Sequence, residues 1–288
     1  MKIGLIGINV GGADVAAVME GLALKAEAVG LESLWTFEHV CRFVEYTSRY
    51  PGSADGKMSG TPESCYIDPL IALTHLAART RTIRLGTGIN ILPQTNPLLL
   101  AKQAASLDVL SGGRFMLGVG AGWCAEEYEA MGTPFQRRGA RMDDYLTAIK
   151  KVWSGDVVEH RSEFLHWSNL KSRPAPHQKP HVPVYIGGAA DAALRRVVAH
   201  GDGWLAGGQP PKVLAGLIGK LNGLARDAGR DPASIDISTM WVPGDAPVDA
   251  VRQFEELGVS RLVIRTGLLG PDPLAGLERL ADSVLAKL

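Results

Sequence analysis

Apolar positions along this chain fall into two kinds of segment that alternate from end to end. One kind is short and continuously apolar, the pattern of a parallel strand buried on both faces. The other is longer, with apolar residues at helical spacing on a polar background. Residues 2–8 form a run of the first kind. A helix over about 14–29 follows, with Asp14 at its start and Gly30 at its end. A second strand at 32–35 completes a β–α–β unit, which favours a parallel α/β fold. The same alternation predicts strands at 83–87, 114–117, 182–186, 203–205, 235–240 and 261–264. It predicts helices over 68–79, 98–110, 125–130, 138–153, 191–200, 211–228, 248–257 and 273–287. Eight strands with intervening helices are what a closed (β/α)8 TIM barrel requires, within a single domain of 288 residues.

Two stretches interrupt the alternation. Residues 36–66, after strand two, hold several Pro, Gly and aromatic residues and no periodicity. Residues 154–180, in the connection after strand four, are rich in His, Ser and Pro and look irregular. Loops this long in a compact domain are often functional. Both are expected to supply a lid and the substrate walls.

Charge narrows the function classes. The chain carries 30 basic and 30 acidic residues and no basic stripe interleaved with aromatics, so no nucleic-acid partner is expected. Cys41, Cys65 and Cys124 are an odd set without paired spacing, which suggests a reducing compartment and no structural zinc. The N-terminal apolar run is short and is followed by Asp14 and Glu20, unlike a signal peptide. No stretch has the length and apolarity of a membrane span, so a cytoplasmic location and no membrane partner are expected.

The candidate chemistry centres on RFMLGVGAGW, residues 114–123. Glycines at 118, 120 and 122 leave the end of a strand without side chains just before a helix. That arrangement lets something large approach the backbone, or simply makes a tight turn. Gly187, Gly188 and Ala189 form a second glycine turn between a strand and a helix start, where free N–H groups and the helix dipole favour a phosphate. A Rossmann start at Gly4, Gly7, Gly11 and Gly12 lacks the required spacing. His39, just past strand two, is placed for proton transfer if the fold is a barrel. His75 falls in a helix; His160, His166, His177 and His181 are too irregularly spaced to argue for a metal. Asn90 is either a turn residue or an amide donor to a cofactor ring. Trp35, Phe37, Phe43, Tyr46 and Tyr50 surround His39 in sequence and are expected to line an apolar pocket. Arg49 either faces solvent or meets a substrate anion.

Three separated stretches resemble one family: RTIRLGTGINILPQTNPLLLAKQAASLDVLSGGRFMLGVGAGW, then EEYEAMGTPFQRRGARMDDYLTAIKKVW, then PVYIGGAADAALRRVVAHGDGW. They resemble, in the same order, the bacterial luciferase-like flavin and deazaflavin oxidoreductases, with SLWTFEHV and SRYP most similar to the branch that uses coenzyme F420. The resemblance implies a (β/α)8 barrel that holds F420, or alternatively FMN, at the C-terminal ends of its strands. It implies that His39 is catalytic and sits by the ring. Thr87, Gly88 and Ile89 match a bulge, often with a non-proline cis peptide, that backs the ring, with Asn90 beside it. Gly120, Ala121 and Gly122 match the end of strand four beside the cofactor, and Gly187 and Gly188 the phosphate turn. Trp123 stands where the sugar-phosphate dehydrogenases of the superfamily carry a glutamate, and it is expected to stack near the ring or wall the pocket. Glu126 and Glu127 are then expected to be ordinary first-turn helix residues. The implied activity is hydride transfer between F420 and a small organic substrate. The alternatives are an FMN-dependent monooxygenase fed by a separate reductase, and a non-catalytic flavin-binding protein. A metal-dependent hydrolase lacks an acidic or His-x-His cluster at strand ends, so no metal is expected. A homodimer is expected by resemblance alone.

Overall fold

A computed structural model describes all 288 residues. In chain order the strands are β1 (Lys2–Ile6), β2 (Val10–Gly11), β3 (Ser33–Thr36), β4 (Cys65–Tyr66), β5 (Arg84–Thr87), β6 (Asn90–Ile91) and β7 (Phe115–Gly120). They continue as β8 (Val158–Arg161), β9 (His166–Leu170), β10 (Val184–Gly187), β11 (Gly203–Leu205), β12 (Asp236–Met240) and β13 (Arg261–Arg265). The helices are α1 (Val15–Ala28), α2 (Pro69–Arg79), α3 (Pro97–Leu110), α4 (Ala125–Ala130), α5 (Arg138–Trp153), α6 (Asp191–His200), α7 (Pro211–Asp227), α8 (Pro247–Glu256) and α9 (Pro273–Ser283).

Eight parallel strands close into a barrel in the order β1, β3, β5, β7, β10, β11, β12, β13. The ring is sealed where β13 pairs with β1, Lys2 opposite Arg261, and where β7 pairs with β10, Val119 opposite Ile186. The predicted TIM barrel is therefore the fold. Its apolar runs are legible because every barrel strand is buried on both faces. Helices α2, α3 and α9 start at Asp68-Pro69, Asn96-Pro97 and Asp272-Pro273. In each, the cap side chain accepts two backbone N–H groups and proline occupies the first turn, where its missing N–H costs nothing. Asp14 differs from expectation, since its side chain makes no cap bond to α1. Gly30 does end that helix, with Leu31 N–H reaching Ala26 O at 2.9 Å.

The core is layered. One large cluster fills the space between barrel and helices. Inside the barrel, Ile6, Trp35, Met116, Tyr185 and Val263 pack together, with Phe37, Leu205 and Met240 above them. At the N-terminal end of this interior the buried Arg261 guanidinium pairs with Glu32 at 2.8 Å and Asp236 at 3.1 Å. It also faces the Trp35 and Tyr185 rings.

Three expectations are corrected. Strand four does not stop at residue 117: β7 runs through Gly118 to Gly120, so those glycines lie in the sheet rather than in a turn. The 36–66 excursion is tied back, because β4 pairs antiparallel with β2 and buried Asn9 bonds Phe37 and Ile67. The 154–180 excursion is only partly irregular: its hairpin tip, Glu163 and Phe164, packs on Arg137 and Arg141 at the start of α5, while its second half turns to the far end of the barrel. Strands β8 and β9 form a hairpin on α5, where His160 and Ser162 both bond Asp144. Gln178 then meets Asp108 and the carbonyl of Phe115, at the N-terminal end of β7. That face is opposite to the strand ends that carry barrel active sites.

Candidate active site

The C-terminal ends of β3, β5 and β7 build the site. His39 follows β3 and its Nδ1 lies 2.9 Å from Glu127 Oε2. The other Glu127 oxygen accepts Val40 N–H at 2.7 Å. Glu127 is almost wholly buried in the first turn of α4, and the His39 side chain is only 10% exposed. A carboxylate on Nδ1 fixes the tautomer and leaves Nε2 as the working nitrogen. The reading of Glu127 as an ordinary helix residue is overturned by this contact. Glu126 is also engaged, accepting Thr47 N–H and Oγ1–H and Ser48 N–H. Partial burial opposes its ionisation, but bonds from Ser48 and Thr47 outweigh this and hold its carboxyl below the usual range.

Trp123 is the hub of the aromatic wall. Its ring meets His39 at 6.0 Å, Tyr46 at 5.5 Å and Tyr50 at 5.2 Å, all edge to face. Tyr66 meets His39 at 6.0 Å from another side. A cleft is lined by His39, Arg42, Phe43, Tyr46, Met58 and Trp123. Phe43 lies beside His39 in this cleft, and Tyr50 reaches it only through its contact with Trp123. Trp35 does not reach it: its ring is fully buried in the barrel interior and its Nε1 donates to Ser33 Oγ. Phe37 is half-buried and packs over that interior.

The peptide Gly88–Ile89 is cis, as the resemblance implied. Gly88 N–H bonds Thr36 O at 2.7 Å and Thr87 Oγ1 bonds Gly118 O at 2.7 Å, which locks this turn between β3 and β7. The glycines answer to this turn first. A Cβ on Gly118 would stand 1.9 Å from Thr87 O. One on Gly120 would stand 2.8 Å, and one on Gly187 2.7 Å, from the Ile89 side chain. One on Gly122 would meet Ile91 at 2.6 Å. What approaches these backbones is the protein's own 87–91 segment, with Ile89 spanning β7 and β10. Ala121 O and Gly122 O are taken by Tyr128 and Arg138.

Asn90 is buried beside this turn. Its Nδ2 donates to Glu38 Oε1 at 2.8 Å, and its Oδ1 has no partner. Its free group is therefore an acceptor, not the donor expected. Glu38 also accepts the Ile91 N–H. Burial, reinforced by the nearby Asp68 and Glu127 carboxylates, pushes the Glu38 carboxyl up to about 8 against those hydrogen bonds. Glu38 was missed in the sequence, where it looks like any acidic neighbour of His39.

At the second glycine turn, Gly188 N–H is already bonded to Leu205 O, and Gly188 O accepts from Trp204 Nε1 at 2.7 Å. No side chain caps α6. Ala193 N–H already donates to Ala190 O at 2.8 Å, so the N–H groups of residues 189–192 are the ones left for an anion.

The family model for luciferase-like monooxygenases matches residues 7–273, and the chain belongs to that family. An uncharacterised protein of Mycobacterium tuberculosis is 36% identical over 278 residues, covering 92% of this chain and 94% of the relative. Two solved structures share the fold. An F420-dependent secondary alcohol dehydrogenase, in complex with an F420–acetone adduct, matches with a TM-score of 0.80 at 17% identity, over 99% of this chain and 98% of that one. The oxygenating constituent of 3,6-diketocamphane monooxygenase from Pseudomonas putida, in complex with FMN, matches with a TM-score of 0.78 at 16% identity, over 100% and 99%. No helix is long and apolar enough to cross a membrane.

Proposed function

We propose that this protein is an F420-dependent oxidoreductase that exchanges a hydride between the deazaflavin and a small organic substrate. One observation carries the reading: a histidine oriented by a buried carboxylate, His39 on Glu127, stands at the barrel mouth in an aromatic cleft. The residues present fit such a cofactor. Asn90 Oδ1, buried and unpartnered, suits an N–H on the edge of a flat heterocycle. The uncapped start of α6, from Ala189 onward, suits a phosphate. The bound deazaflavin supplies two-electron hydride chemistry. His39 would hold or deliver a proton through Nε2, with Glu127 fixing the ring. Trp123, Tyr46 and Tyr50 would keep water from the cleft. Thr87, Gly88 and Ile89 would back the ring.

The second reading is monooxygenation with reduced FMN delivered by a separate reductase. The fold shared with an FMN-bound monooxygenase constituent supports it, while Trp123 speaks only against a sugar-phosphate substrate, because an indole cannot act as a general acid. Titration with F420 and with FMN, followed by cofactor fluorescence, separates the two. Tight FMN binding with none to F420 would overturn the first reading. Cofactor binding with no loss of turnover in His39→Ala would overturn the role of His39 in both.

A further inference from the structure

Two arginines at the mouth lack acidic partners. Arg42 is half-buried and donates to Tyr66 Oη at 3.3 Å and Ser59 O at 3.2 Å. Arg265, at the C-terminal end of β13, donates to Ser59 Oγ at 3.2 Å. One serine thus gathers two guanidinium groups, and no carboxylate pairs with either. Two guanidinium groups on one serine favour an anion between them. Two arginines elsewhere in the chain contrast with them. Arg261 has Glu32 and Asp236. Arg114 is satisfied without any carboxylate, by Ser111 O, Thr80 Oγ1, Ile83 O, Ala77 O and Thr80 O. Arg42 and Arg265 use few of their five donors each, in long bonds to neutral groups.

Arg42 reaches the cleft directly, whereas Arg265 is exposed and stands outside its lining, beside Phe37. Arg42 lines it with His39. Its guanidinium carbon lies 5.6 Å from the centre of the Tyr66 ring, whose other contact is His39. Arg265 lies 5.9 Å over Phe37, two residues before His39. The pair sits above β13, β1 and β3, while the uncapped α6 follows β10, with β11 and β12 between β10 and β13. The two anion-favouring places therefore occupy different arcs of the mouth.

We infer that Arg42 and Arg265 form an oxyanion subsite, which takes a carboxylate or phosphate on the molecule that enters the cleft beside His39. Planar guanidinium forks bind such groups bidentately, which an ammonium does not. The aromatic wall makes an aromatic or alicyclic acid the fitting substrate class. This rests on the reading of the mouth as a cofactor-dependent active site.

Calorimetric titration of the full chain with benzoate and with neutral benzamide tests it. Benzoate is expected to bind at least about tenfold more tightly, a difference of about 1.4 kcal/mol. Arg42→Gln and Arg265→Gln should each abolish that preference, and Arg42→Lys should restore it only in part. Equal binding of benzoate and benzamide by the wild type, or a preference intact in both Gln variants with unchanged melting temperatures, overturns the subsite. The anion could belong to the substrate or to the cofactor's tail. Titrating wild type and variants with F420 and with its chromophore stripped of the anionic tail separates these sources: a loss for F420 alone assigns the subsite to the tail, and no loss for either assigns it to the substrate. Absence of any cofactor binding by the wild type sinks the oxidoreductase reading, and leaves the benzoate comparison standing.

Discussion

His39 Nδ1 and Glu127 Oε2 lie 2.9 Å apart across 88 residues of chain, joining the exit of β3 to the first turn of α4. The same carboxylate holds Val40 N–H, so it fixes both the ring and the backbone that carries it. Glu127→Gln keeps an oxygen for Val40 but offers the imidazole an amide. Turnover with a substrate found by screening is expected to fall about tenfold to a hundredfold, in kcat, with cofactor affinity unchanged. His39→Asn should cost more, on the order of 100-fold or above. Glu127→Ala should also lower stability by about 1–3 kcal/mol, since it takes the shared acceptor from Val40 N–H and from the largely buried His39 ring. Stopped-flow turnover, cofactor titration and urea melts separate these effects. Equal kcat in wild type and Glu127→Gln would remove Glu127 from the machinery.

Glu38 should make stability fall as pH rises. Its carboxyl is pushed up to about 8 in the fold, from an ordinary value of 4.5. Between those values the folded state keeps a proton that the unfolded chain has lost, so folding weakens from about pH 4.5 to pH 8 and levels off above. Glu38→Gln cannot titrate and still offers an oxygen to Ile91 N–H. Its unfolding midpoint in urea should be flatter over that range than that of wild type, and higher at pH 8. Parallel profiles for the two proteins would show that Glu38 titrates normally.

At the other end of the barrel the sign reverses. Burial alone would raise the Glu32 and Asp236 carboxyls, yet the Arg261 guanidinium overrides it and holds both below the usual range. Their contribution is present above the ordinary carboxyl values and is lost as pH falls through the lowered ones. Arg261→Met leaves Glu32 without its cation and Asp236 with only the part-exposed Lys2 against a buried interior, and about 3 kcal/mol of stability should go. Acid should then stabilise the variant relative to its own neutral state, because protonation relieves the stranded charges. Urea melts at pH 4 and pH 7 give both numbers. A variant as stable as wild type would mean that water reaches the carboxylates.

The barrel was legible because parallel strands buried on both faces leave unbroken apolar runs. The cis turn at Gly88–Ile89 came from resemblance, since no local composition demands it. The hairpin β8–β9 was missed because it lies on the surface with too few buried positions to show alternation. Glu38, Glu127 and Arg261 were missed for a shared reason. A charged residue reads as solvent-facing until its partner, tens of residues away, is brought to it. Trp35 was misplaced by the opposite error: proximity to His39 in sequence says nothing about which side of a strand a ring takes, and β3 turns this one inward.

The glycines of β7 lead to the last expectation, which concerns Ile89. At Gly118 a methyl group would collide with the Thr87 carbonyl at 1.9 Å, and backbone cannot step aside. Gly118→Ala is expected to unfold the barrel or to cost about 3 kcal/mol or more, the high end for overpacking. At Gly120 the collision is with Ile89 Cδ1 at 2.8 Å, the far end of a flexible side chain. Gly120→Ala should fold with a loss of about 1 kcal/mol. Ile89→Ala should remove that loss, so the double variant Gly120→Ala/Ile89→Ala would show a favourable coupling of about 1 kcal/mol in a double-mutant cycle. The contrast separates two reasons for glycine in one strand: Gly118 makes room for main chain and Gly120 for a side chain that reaches over to Gly187. If Gly120→Ala and Ile89→Ala were simply additive, the room at Gly120 would belong to something other than Ile89, and cofactor affinity of Gly120→Ala would be the measurement to make next.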